Sequence, residues 1–151
     1  MIARSLPVKV VVFVVAVLTA ACTAEPGPPL TASDIQLFAP LPGSHAAVGY
    51  FSLHNRSNAP LTIESISSPG FANVQMHETV IKDGIASMLA LPTVTIEPGA
   101  SVTFTAGGKH LMLMQPAPET ATGTNVMLEI HYDSDGLLII SATMQSRSSA
   151  E

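Results

Sequence analysis

Turn-forming clusters cut this chain into short pieces between residues 33 and 145, and that punctuation limits the fold more than any other feature. Pro40, Pro42 and Gly43 come first, followed by Asn55-Arg56-Ser57-Asn58-Ala59-Pro60, Ser68-Pro69-Gly70, Pro98-Gly99 and Asp133-Ser134-Asp135-Gly136. The pieces between them suit strands better than helices. Ile35 to Phe38, Ala46 to Asn55 (the longest), Leu61 to Ile66, Val94 to Glu97, Ser101 to Thr105, Asn125 to Tyr132 and Leu137 to Thr143 read as strands. Leu61 to Ile66 alternates apolar and polar residues, as a half-buried strand does. Twelve prolines and ten glycines in 151 residues agree, and neither a helical period nor an internal repeat competes. The expected fold is all-β, one domain, a sandwich of about seven to nine short strands.

Asp83-Gly84 is the sharpest single turn signal, because a type I′ hairpin turn needs positive φ at both central residues. Closing a hairpin there sets Lys82 against Ile85, Ile81 against Ala86 and Thr79 against Met88. His77, two residues from Thr79, then shares a face with Met88 as its diagonal neighbour. Further on, His110 and Met112 stand at i and i+2, so a strand projects both from one face. Two co-facial pairs of potential ligands result. That the pairs face each other is not given by the sequence alone.

Two imidazoles and two thioethers make a soft, neutral donor set. Such ligands select Cu(I) over hard ions such as Mg²⁺ or Ca²⁺, and they compete poorly for Zn²⁺, which prefers thiolate, imidazole and carboxylate. Taken singly, a strand Met is usually core filler and a lone His a surface or structural residue. The pairing, not any one residue, carries the metal reading.

Ten residues separate His77 from Met88, twenty-one separate Met88 from His110, and one separates His110 from Met112. This spacing resembles the signature of the PCuAC family of periplasmic copper chaperones. Met76-His77-Glu78-Thr79, Ile96-Glu97-Pro98-Gly99 and Gly107-Gly108-Lys109-His110-Leu111-Met112-Leu113-Met114 resemble the family too, as does the Ala-x-x-Tyr-Phe-x-x-x-Asn stretch from Ala47 to Asn55. The likeness covers roughly residues 32 to 143. It implies a cupredoxin-like, Greek-key sandwich that binds one Cu(I) through His77, Met88, His110 and Met112, near the surface at one end. It also implies delivery to an acceptor, such as a cytochrome oxidase subunit or assembly factor.

Residues 1–21 read as a lipoprotein signal peptide. Arg4 and Lys9 supply its positive region, and the apolar run from Val8 to Leu18 is short for a membrane span. Leu18-Thr19-Ala20-Ala21-Cys22 resembles a lipobox, which would make Cys22 the lipidated first mature residue. Residues 22–32, with Pro26, Pro28 and Pro29, read as a stiff tether ahead of a domain over 33–145, and 146–151 as a disordered tail. The expected place is the extracytoplasmic face of the envelope, periplasmic in a Gram-negative host, with membrane contact through the lipid alone.

Cys22 is the only cysteine, so no intrachain disulfide can form and no thiolate is available for a blue-copper centre or a cysteine nucleophile. Without Arg4 and Lys9, four basic residues stand against eleven acidic, a net charge of −7. That balance speaks against nucleic acid and against adsorption on anionic lipid. Met76 reads as core, since it points away from His77 on a regular strand; Met114 shares the face of Met112 and reads as packing. Met127 and Met144 read as core and tail, and His45, His54 and His131 as structural or exposed. Asp133 and Asp135 are too close to make a Ca²⁺ loop. No catalytic constellation stands out, so the chain reads as a carrier and not an enzyme. A structural or interaction-type envelope sandwich without metal is the alternative.

Overall fold

Ten strands run through residues 27–133 and 135–147, the part of the chain that the computed structural model describes. They are β1 (Leu30–Phe38), β2 (Ala46–Asn55), β3 (Leu61–Ser67), β4 (Phe71–Lys82), β5 (Ile85–Ala90), β6 (Val94–Ile96), β7 (Ser101–Phe104), β8 (Lys109–Pro116), β9 (Asn125–Tyr132) and β10 (Gly136–Gln145). The signal segment, Cys22 and residues 148–151 lie outside the described residues.

The hydrogen-bonded order is β5-β4-β8-β2-β1-β10-β9-β3-β6, with β7 also on β2. Every pairing is antiparallel except β1 with β10, where Leu37 and Phe38 meet Met144 and Gln145 in parallel. The sheet folds over at that join, so one buried cluster draws Leu37, Phe51, Phe104, Leu111 and Leu113 from one half and Ile63, Leu128, Ile130 and Ile140 from the other. Phe51 and Phe104 lie opposite each other across β2 and β7 and stack at 4.6 Å, an offset geometry aromatic pairs favour. This is the all-β sandwich expected, with ten strands where about seven to nine were anticipated. β6 and β7, on either side of the Pro98-Gly99 corner, are three and four residues long, yet each finds its own partner, β6 on β3 and β7 on β2.

Asn55, last residue of the Ala47–Asn55 motif, is fully buried and holds that corner. Its amide donates to the Ala59 and Ile96 carbonyls, its Oδ1 accepts from Ser57, and its backbone bonds Gly99 and Ala100. A buried amide with all its groups paired is a structural fastener.

Three expectations need correction. The first strand starts at Leu30, not Ile35, because the prolines end at Pro29 and Leu30 can pair with Asn55; Leu30–Ala32, read as tether, are strand. The longest strand is β4, with 12 residues, not Ala46–Asn55. Met127 is exposed, and Met144 is buried beneath the β1–β10 join, the reverse of their expected roles.

Candidate metal centre

Strand parity decides which side of the sheet carries the candidate ligands. Leu111 and Leu113 of β8 are fully buried in the core, so His110, Met112 and Met114, alternating with them, take the other face. On β4 the buried Met76 pairs with Leu111, which turns Gln75, His77 and Thr79 to that same outer face. The hairpin closes as its turn chemistry requires. Asp83 and Gly84 have φ of 53° and 76°, and the register is Lys82↔Ile85, Ile81↔Ala86, Thr79↔Met88. His77 and Met88 are therefore diagonal neighbours on one face, as are His110 and Met112 on theirs.

The link missing from the sequence is supplied by the pairing of β4 with β8, in which His77 stands directly opposite His110. Their rings meet edge to face at 6.0 Å. All four side chains thus belong to one face of three consecutive strands, β5, β4 and β8. That face is the outer surface of the sheet. His110 is only 7 % exposed there and forms the floor of a depression of about 260 Å³ whose walls include Tyr50, Thr79, Met88, Gly107 and Met112.

Each imidazole has one nitrogen tied and one free. His110 Nδ1 lies 3.0 Å from the Gly108 carbonyl, which can only accept, so Nδ1 carries the proton and Nε2 keeps its lone pair. His77 Nε2 donates to Gln75 Oε1 at 3.0 Å, which leaves the lone pair on Nδ1. That Nδ1 is buried and unpartnered, one of two such side-chain atoms among the described residues; the other is Ser68 Oγ. Burial, and then the neighbouring His110, lower the pKa of His77, holding the ring neutral. An orphaned, buried nitrogen on a ring that packs edge to face with a second imidazole fits a metal ligand.

The donor set has no anionic member. Among the described residues no group of three or more His, Cys, Asp or Glu side chains converges, so a site on this face must draw on the thioethers. Such a set suits a soft, singly charged cation. Glu78 and Lys109, flanking the two histidines, pair with each other at 2.8 Å.

Two contributors escaped the sequence reading. Gln75 lies at i−2 from His77, so strand parity alone would have placed it beside the ring. Gly108 acts through its carbonyl, which also accepts the Thr79 N–H at 3.1 Å; the glycines before His110 had suggested only close backbone approach. Met76 is in the core, and Met114 opens on a neighbouring depression with His45 and Asn73. His54 is tied to Ala100 and Ser101, and Asp133 caps β3 through Thr62.

A family model described as "Putative lipoprotein LpqE-like" matches residues 30–144. The uncharacterized protein RP573 of Rickettsia prowazekii is 25% identical over 92 residues, 60% of this chain; the chain spans about half, 51%, of that relative's length. Among solved structures, the copper-bound PCuAC domain from PmoF2 superposes with a TM-score of 0.64 at 21% identity, covering 78% of this chain and 93% of that one. The solution structure of CuI-DR1885 from Deinococcus radiodurans gives 0.61 at 24% identity, covering 87% of each chain. These likenesses establish a shared fold.

Proposed function

This chain belongs to the LpqE-like family, and on that premise we propose that it is an extracytoplasmic Cu(I) chaperone. His77, Met88, His110 and Met112 hold one ion, and Cys22 carries a lipid anchor that keeps the domain at the envelope. One observation carries the reading: His77 and His110 sit opposite each other with a ring nitrogen of each left free, on the face that also bears Met88 and Met112. The copper-bound and CuI forms of two proteins with this fold support the choice of ion.

Neutral ligands suit a carrier. They leave Cu(I) its single positive charge, and each can be exchanged for an acceptor's ligand without expelling an anion. The acceptor we propose is a copper-receiving protein such as a cytochrome oxidase subunit or assembly factor. The chain performs no turnover chemistry in this reading. Anaerobic titration is expected to show one Cu(I) per chain, with X-ray absorption reporting mixed nitrogen and sulfur ligands. Binding left intact by Met88→Ala together with Met112→Ala would rule the site out.

A further inference from the structure

The sheet ends differently on its two sides. β6 closes one side with three residues, flanked by Pro92 and Pro98. Short strands and prolines are what proteins use to blunt an edge. β5 closes the other, and its six residues, Ile85-Ala86-Ser87-Met88-Leu89-Ala90, are all exposed, with no charge and no proline among them. Nothing among the described residues pairs with it except β4.

Its free backbone groups can be assigned. The Leu91 N–H turns inward to the Met76 carbonyl, and the Thr79 N–H turns away from β5 to Gly108. By alternation Ile85, Ser87 and Leu89 bond β4, while Ala86, Met88 and Ala90 direct N–H and C=O outward. The row of free groups is therefore centred on Met88.

We propose that β5 pairs antiparallel with β5 of a second copy, with Met88 on the two-fold axis. In that register Met88 faces Met88, Ala86 faces Ala90 and Ser87 faces Leu89, so no like charges oppose each other. The segment is self-complementary, with Ala86 and Ala90 flanking a central Met on one face. A lipid surface suits it less, because β5 offers no cation and the chain is net negative at −5. The pairing extends one continuous sheet through both copies and brings the two Met88 backbones to about 5.5 Å at Cα. Resting on the copper reading, the pairing gives each site a second thioether from across the axis, a route for the ion between copies. The association itself does not depend on copper.

Sedimentation equilibrium of the metal-free full chain in density-matched detergent tests this. The interface is small, so a dimer is expected only at concentrations on the order of 100 μM. Ala86→Lys with Ala90→Lys sets Lys against Lys and should abolish the dimer; Ala86→Lys with Ala90→Glu sets Lys against Glu and should restore it. Ala86→Pro, which deletes an outward N–H and spares the hairpin bonds, should weaken the dimer at an unchanged circular dichroism spectrum. A wild-type chain that stays monomeric, or a Lys/Lys variant that dimerises like wild type, overturns the proposal. A Cu(I) titration of the same samples reports separately on the ligand set.

Discussion

The two imidazoles and the two thioethers share one sheet face but are held in different ways. His77 and His110 pair across two interior strands, and each has one ring nitrogen fixed by a carbonyl oxygen. Met88 sits on the edge strand, 54 % exposed, and Met112 is half-buried beside Val48. The nitrogen half is set before any ion arrives. The sulfur half has three rotatable bonds per side chain and room to use them. For the carrier proposed here that division is useful: rigid donors would define where the ion sits, and mobile donors would let it enter and leave.

The widest separation between the halves should appear on removing one donor from each. His110→Ala is expected to cost more than about 100-fold in Cu(I) affinity, measured by competition with a chromogenic chelator, whereas Met88→Leu should cost nearer ~10-fold. Equal losses would break the comparison. The next effect is indirect. Gln75→Leu removes the acceptor of His77 Nε2 without touching a proposed ligand, and should weaken Cu(I) by about 10-fold while leaving the melting temperature within a few degrees. An unchanged affinity would mean that the Gln75 contact does not orient the ring.

The gentlest probe is pH. His77 has its pKa lowered below the ordinary 6.5 by burial and by His110, so the unfolded chain takes up this proton more readily than the folded one. Its contribution to stability is complete above 6.5 and is lost as pH falls through the lower folded value. A proton also competes with the ion for Nδ1. Cu(I) affinity should therefore hold from neutrality to about pH 6.5, and drop below its lowered folded value by up to about tenfold per pH unit. An affinity already falling at pH 7.5 would contradict a neutral, buried His77.

Much of this was legible in the residues, and the parts that were not share a cause. Asp83-Gly84 announced the hairpin and its register because a two-residue turn fixes everything that follows it. His110 and Met112 could be placed on one face by counting in twos. Their meeting with His77 could not, since β4 and β8 are joined by 26 residues that visit β5, β6 and β7 on the way, and no local rule fixes which distant strands pair. The same limit hid the β1–β10 join, and with it the burial of Met144. Leu30 was lost to its neighbours, a run of prolines that ends one residue earlier. Gln75 was within reach of the counting that found the ligands, had the residues beside them been counted too.

The Gly108 carbonyl accepts from the Thr79 N–H of one strand and from the His110 ring of the other. Sliding β4 along β8 would break the first bond and part His77 from His110, while the second would travel with β8, because Gly108 and His110 lie two residues apart on one stretch of chain. Gln75 stands in the same relation to His77. Each ring is thus aimed from within its own strand, and the alignment of the two strands alone sets the distance between them.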